Sequence, residues 1–283
     1  TNQSVVHTIN IINICTAIKI MNLDIFRLKV MFITKFSFSC IPISLISSIA
    51  IADTTSDTGK SSKFGLGVGM TLVQKAYQNI DTEVSPLPII SYENKWIDIS
   101  IPKADLKIYS DDNFSVRLRG RYAGDGYDSD DSAYLQDMAN RKSSIWAGGA
   151  IVYKSNIAQV SVEALRDVSG NSKGSRAKLS IEKGFQFNSF GLKPRISAEW
   201  LDNNFIDYYY GVNTSEINPN RNQYNGEATT NLDIGIRLDY RPSQHHIFFM
   251  DTVTTLLGSS IKESPLVDKS SQTMLSLGYV YSF

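Results

Sequence analysis

The sequence predicts an all-β protein: a transmembrane antiparallel up-and-down β-barrel of about twelve strands. Three observations carry this. Apolar and polar residues alternate with a period of two in many segments. The face opposite the apolar one is heavily charged, with both signs mixed. The chain ends on "SLGYVYSF", with Leu277, Tyr279, Tyr281 and Phe283 at every second position up to the last residue.

The N-terminal segment reads as export machinery rather than fold. Residues 31–52, "MFITKFSFSCIPISLISSIAIA", combine Lys35, an apolar stretch from Phe36 to Ile49 and the small-residue site Ala50-Ile51-Ala52, the pattern of a signal peptide. Residues 1–30 open on Thr and hold Met21 within them, so they read as an over-extended reading frame. Residues 53–61 are expected to form a short periplasmic tail and 62–283 the barrel. Cys15 and Cys40 both fall before residue 53, and Cys40 lacks the context of a lipoprotein box, so neither a disulfide framework nor a lipid anchor is expected. The leader removes Lys19, Arg27, Lys29 and Lys35 with one acid, Asp24, from a chain of 28 basic and 28 acidic residues. A mildly acidic remainder does not suit a nucleic-acid partner.

The alternation identifies the strands in order, at about 62–74, 85–94, 96–102, 105–110, 114–123, 144–154, 157–167, 175–186, 190–201, 227–241, 244–257 and 271–283. The third and fourth are the weakest, and ten strands is the alternative count. In "SVRLRGRY", Val116, Leu118 and Tyr122 oppose Arg117, Arg119 and Arg121. In "SRAKLSIEK", Ala177, Leu179 and Ile181 oppose Arg176, Lys178 and Glu182. In "LKPRISAEW", Leu192, Ile196 and Trp200 oppose Arg195 and Glu199, with Pro194 awkward because it cannot donate to a ladder. In "NLDIGIRLDY", Leu232, Ile234, Ile236 and Leu238 oppose Asp233, Arg237 and Asp239.

A soluble sandwich also alternates, but its outer face carries fewer charges. Apolar residues facing lipid and paired charges lining a wet lumen fit a closed barrel, since lipid offers the backbone no hydrogen bonds. The connections agree: "SN", "RPSQ" and "SDDN" are tight, whereas "GDGYDSDDSAYLQDMANRK" and residues 202–225 are long. Short periplasmic turns and long outer loops are characteristic of outer-membrane barrels, and an even strand count then puts both termini in the periplasm.

Ser276, Gly278, Tyr279, Tyr281 and Phe283 match the C-terminal signal read by the outer-membrane assembly machinery. The closing strand would seat its aromatic residues at the membrane interface. The inward charges, Arg117, Arg119, Arg121, Arg176, Lys178, Glu182, Arg195, Glu199, Asp233, Arg237 and Asp239, read either as a salt-bridge network filling the lumen or as a narrow charge-selective pore. The first is the expected reading.

Other candidates yield little. "GLGVGM" lacks the G-x-G-x-x-G spacing; Gly65, Gly67 and Gly69 would instead leave room on one strand face. The Asp125, Asp128, Asp130 and Asp131 loop departs from the EF-hand pattern and reads as solvated. His245 and His246 follow a tight turn and read as an interfacial pair rather than the base of a hydrolase. Tyr208 to Tyr210 either fold inward as a lid or mark the outer interface. No metal, cofactor or catalytic residue is expected.

Several stretches in order resemble the MltA-interacting protein/OmpV family of Gram-negative outer-membrane proteins: "LGVGM", "SPLPIISYE", "DDSAYLQDM" followed by Arg141, "DVSGNSKG", "YYGV", "ESPLV" and the closing "LGYVYSF". The resemblance implies a barrel in the outer membrane, bounded by lipid and lipopolysaccharide. It also implies a scaffold between a periplasmic lytic transglycosylase and a peptidoglycan synthase. The alternatives are a narrow channel for small solutes and a barrel lipid hydrolase.

Overall fold

The computed structural model describes residues 62–283; the expected signal peptide, the segment before it and the tail to residue 61 lie outside the described residues. Thirteen paired segments form one antiparallel sheet that closes on itself. They are β1 (Lys63–Gln74), β2 (Glu83–Glu93), β3 (Ile97–Ser100), β4 (Lys103–Ser110), β5 (Phe114–Ala123), β6 (Ser144–Lys154), β7 (Gln159–Asp167), β8 (Ser175–Glu182), β9 (Phe185–Phe187), β10 (Phe190–Leu201), β11 (Thr229–Tyr240), β12 (His246–Leu256) and β13 (Ser271–Ser282). Every neighbour in the ring is the next strand in the chain, and β13 closes on β1 from Gly65↔Ser282 to Gln74↔Thr273.

Twelve strands make up the wall, because β8 and β9 are one strand. Both pair with β10 in the same register, Arg195↔Glu182 and Leu192↔Phe185. The break falls opposite Pro194. The Lys183 N–H donates to the Pro194 carbonyl at 3.2 Å, but proline has no N–H to return. The awkward proline is thus accommodated by the loss of one ladder bond. β3 and β4, the weakest segments in the sequence, are both present, and β3 is only four residues long.

The outward face is apolar: Val68, Leu118, Ile151, Ile181, Ile196, Ile234 and Leu277 are all exposed. A ring of aromatic contacts marks the end where β1 begins and β13 finishes. There Phe64 stacks on Phe283 with centroids 5.3 Å apart, Tyr281 meets Phe283 at 4.9 Å, and Phe190 stacks on Tyr240 at 4.8 Å. Five connections lie at this end, at 94–96, 111–113, 155–158, 188–189 and 241–245. The long connections, 124–143, 202–228 and 257–270, all lie at the other, with helix α1 (Asn203–Tyr210) and the short α2 (Ser259–Lys262) inside the last two.

The glycines of β1 serve a different purpose from the room they seemed to leave. A Cβ on Gly67 or Gly69 would collide with the carbonyl oxygens of Tyr279 or Leu277. They let β1 approach the closing strand at the seam.

Candidate functional site

The lumen divides into two layers. On the short-turn side the inward charges form a connected lattice. Arg117 reaches Asp98 at 2.8 Å and Asp105 at 3.1 Å, and Arg119 holds Asp105 at 2.7 Å and also pairs with Glu163. Arg121 joins Glu163 at 3.1 Å to Glu199 at 3.6 Å. Arg176 and Lys178 then meet Glu199 at 2.6 and 3.7 Å, and Lys178 continues to Asp233. A second group links Arg195 to Asp251 at 2.6 Å, Arg237 to Asp251 at 3.7 Å and Arg237 to Asp239 at 2.9 Å. Glu182 is bound differently, accepting from the Gln159 amide at 2.9 Å. Arg117, Arg119, Arg121, Glu163, Lys178, Glu182, Arg195, Glu199 and Asp233 border a chamber of about 600 Å³.

All eleven charged positions read from the alternation therefore lie on the inward face. Asp98, Asp105, Glu163 and Asp251 complete the lattice. Asp105 was accessible to the same logic, since Lys103, Asp105 and Lys107 alternate with Ala104, Leu106 and Ile108. Asp251 was hidden, because its strand carries Phe249 and Val253 inward and Thr252 and Thr254 outward, which inverts the usual contrast.

On the long-loop side a plug fills the mouth. Inward residues at the strand tops, Trp146, Leu165 and Leu201, meet Tyr77, Tyr127, Leu135, Met138, Phe205, Ile206, Tyr209, Ile261 and Leu266 from the connections. Burying this many large side chains favours the plug by about 1.5–3 kcal/mol each before ordering costs. Asp202 starts α1 by accepting from the Phe205 N–H at 2.9 Å, an N-cap. Its Tyr209 and Tyr210 are buried in the plug, and Tyr208 packs against it, partly buried.

The plug is tied by polar contacts between the connections. The Arg141 guanidinium donates to both oxygens of Glu216 at 2.9 Å, to the Tyr208 carbonyl at 2.6 Å and to the Ala139 carbonyl at 2.8 Å. Fully buried Arg221 donates to the carbonyls of Glu216, Tyr134 and Gln136. The Tyr77 hydroxyl donates to the Tyr209 carbonyl at 3.1 Å, and Ser264 Oγ to the Tyr210 carbonyl at 2.6 Å. Asp125 leaves its acidic loop to meet Arg176 at 3.1 Å, which joins plug to lattice. Burial pushes up the phenol of Tyr127, to about 12, and also those of Tyr77, Tyr209 and Tyr210. Burial acts on Glu216 in the same sense, but the N–H groups of Asn213 and Ala139 and the Arg141 charge outweigh it and hold the carboxyl below its ordinary range.

The stretches that resemble a known family converge here. In "DVSGNSKG" the chain wraps Asp167, whose carboxylate accepts from the backbone N–H groups of Ser169, Gly170, Ser172 and Lys173 and from three serine hydroxyls. "YYGV" supplies the carbonyls held by Tyr77 and Ser264, and "ESPLV" supplies Ser264 and buried Leu266. Glu216 and Arg221 carried no signal in the sequence, because a polar loop gives no period from which burial can be read.

At the opposite end, Tyr279, Tyr281 and Phe283 point outward and Ser276 and Gly278 inward. Ser276 Oγ meets Thr71 Oγ1 at 3.1 Å. His245 Nδ1 lies 2.7 Å from the Ser282 carbonyl and His246 Nδ1 2.8 Å from the Tyr279 hydroxyl; the His245 ring packs on Tyr281 and the His246 ring on both Tyr279 and Tyr281. They belong to the aromatic ring.

Residues 66–283 match the model of the family described as MltA-interacting protein MipA. The chain is 23% identical over 227 residues to the putative outer membrane protein YiaT of Escherichia coli (strain K12), covering 79% of this chain and 92% of that protein. It is 23% identical over 242 residues to the MltA-interacting protein of the same organism, covering 84% and 98%. Against the outer membrane protein OmpV of Vibrio cholerae it is 23% identical, covering 60% and 66%. Among solved structures, the NanC porin aligns at a TM-score of 0.38 and 9% identity, covering 78% of this chain and 99% of that one.

Proposed function

This chain belongs to the MltA-interacting protein family, and we propose that it is a plugged barrel of the outer membrane that works as a structural and interaction protein rather than as an enzyme or an open pore. One observation carries the reading. The long connections pack Tyr77, Leu135, Phe205, Tyr209 and Leu266 onto the inward Trp146, Leu165 and Leu201, so an apolar core occupies the mouth of the barrel. A pore needs a continuous wet path, and an apolar core across the mouth supports a closed one.

Several relatives are named as outer membrane proteins, which supports the same membrane for this chain; the short turns and both termini then belong to the periplasmic side, as the even strand count and the long outer loops suggest. One relative is named for interaction with MltA. By that analogy the partner is a periplasmic lytic transglycosylase, with a peptidoglycan synthase as the further partner of a scaffold, met through the short turns. The test has two parts. The purified barrel is placed in planar bilayers, where no stepwise conductance is expected; reproducible channels would move the reading to a solute pore. The transglycosylase of the same organism is then titrated against the barrel in detergent. Saturable binding is the expected result, and its absence would remove the scaffold role.

A further inference from the structure

The barrel wall has a long incomplete pairing beside β2. β3 pairs with β2 only from Ser91 to Glu93, and the Ile101 N–H adds a bond to the Ile90 carbonyl at 3.2 Å. β2 continues to Glu83, and its other edge is paired with β1 along that whole length. On the far side of the β3–β4 hairpin, β5 reaches the Pro102 carbonyl through the Tyr122 N–H and ends at Ala123. A notch is left in the wall, bounded by residues 83–89 of β2 and by the top of β5.

Strand geometry says what lines it. The Ile90 carbonyl points toward β3, and the N–H and C=O of one residue share a side. The backbone of every second residue, Val84, Pro86 and Pro88, therefore points into the notch. Two of the three are prolines and have no N–H. The edge is thus a row of carbonyl acceptors with Val84 as its single donor. Prolines at an open edge also prevent another strand from pairing there.

Backbone left open at membrane depth is tolerated where it lines a polar cavity, and such a cavity is present. About 670 Å³ lies beside the notch, bordered by Glu83 and Ser85 of β2, Tyr122 of β5, and the charged Lys75, Asp128, Asp131, Arg141 and Lys142 with Tyr127. Lys75 is matched by Glu83 at 2.9 Å. The Lys142 ammonium has no ion-pair partner among the described residues. Tyr127 is 3% exposed, yet its hydroxyl has no hydrogen-bond partner. On the lipid side the notch is flanked by exposed Val84, Pro86, Pro88 and Tyr122.

We propose that this notch binds a zwitterionic amphiphile that carries both an ammonium and a phosphate. The ammonium donates to the carbonyl row and to Asp128 or Asp131. The phosphate meets Lys142 and the free Tyr127 hydroxyl, and the acyl chains lie over Val84, Pro86, Pro88 and Tyr122. A cavity holding charges of both signs beside an edge made mostly of carbonyl acceptors selects against a purely anionic headgroup, which would find no partner for the carbonyls. Phosphatidylethanolamine and a phosphoethanolamine-bearing glycolipid share this chemistry. The inference rests on the barrel's lying in a bilayer.

The test is native mass spectrometry of the detergent-solubilised barrel with phosphatidylethanolamine, phosphatidylglycerol, and glycolipid with and without phosphoethanolamine. Heat-shifted migration on a denaturing gel is run alongside. Retention of one phosphatidylethanolamine, with phosphatidylglycerol about tenfold weaker and Lys142→Glu weakened at least about tenfold, is the expected result. Retention only of the phosphoethanolamine-bearing glycolipid supports the same chemistry from the other source. Equal retention of both phospholipids, or retention unchanged by Lys142→Glu and by Lys142→Gln, overturns the site. A protein with no heat shift instead overturns the membrane placement.

Discussion

The guanidinium of Arg141 holds both carboxylate oxygens of Glu216 at 2.9 Å, across two connections that are separated in the chain by β6 to β10. Both side chains are about 95% buried. Removing one partner from a buried pair leaves an uncompensated charge, at about 3–5 kcal/mol. Arg141→Ala is expected to loosen the plug by an amount in that range. Residues 124–143 and 202–228 should become open to protease while the barrel still migrates as folded without heating. The pH dependence has a definite sign. The Glu216 carboxyl lies below its ordinary range when folded, so its contribution is present above about pH 4.3 and is lost as pH falls below that. Protease resistance of the loops should fall in acid, and less so in Glu216→Gln.

The buried tyrosines give the opposite slope at the alkaline end. Burial raises the Tyr127 phenol to about 12, and it raises Tyr77, Tyr209 and Tyr210 well above the ordinary value too. A raised phenol stabilises the fold fully below its unfolded value, about 10, and that stability is lost as pH climbs from there through the folded value. A spectrophotometric phenolate titration of the folded protein should therefore lag behind that of the denatured chain. Release of the lagging group should coincide with loss of loop protection. Titration of all tyrosines together near the ordinary value would show a plug that does not exclude water.

Gly278 lies under the ring of Phe249. A Cβ there would come 2.6 Å from Phe249 Cε1 and Cζ and 2.9 Å from Ile89 Cδ1. The opposite face of the same neighbourhood holds Arg237, whose guanidinium carbon lies 4.1 Å from the Phe249 centroid. Gly278→Val is expected to cost about 1–3 kcal/mol through overpacking, read as a lower temperature for conversion of the compact gel band. If packing is the cause, Phe249→Ala in the same chain restores part of the loss. If Gly278 is instead read by the assembly machinery as part of the closing signal, the double variant remains unassembled in cells.

The wall was legible in the sequence because every strand solves the same two-sided problem. Leu118 must face lipid while Arg117 and Arg119 face the chamber, and a period of two records that directly. β3 and β4 were faint because so short a hairpin leaves little room for alternation. The plug was not legible by the same means. Arg221 and Glu216 are buried by contacts with carbonyls and side chains from distant connections, and nothing periodic marks them. Inward folding of Tyr208 to Tyr210 was one of two open readings. The choice depended on Tyr77 and Ser264, each far away in the chain. The notch was not legible: Pro86 and Pro88 lie within "SPLPIISYE", but the open edge they occupy follows from register.

Pro194 offers a gain rather than a loss. Its carbonyl accepts from the Lys183 N–H, but it cannot answer the Lys183 carbonyl, and the ladder breaks between β8 and β9. The site lies within the wall, where an unmade backbone bond has no water to replace it. Pro194→Val keeps an apolar, strand-favouring residue facing outward and supplies the missing N–H. One restored backbone bond contributes about 0.5–1.5 kcal/mol. The variant should convert from its compact band at a higher temperature than the parent, and the Lys183 and Gly184 region should gain protection in hydrogen exchange. An unchanged or lower conversion temperature would mean that the break is relieved by local geometry that valine disturbs. The missing donor would then not be what limits the ladder there.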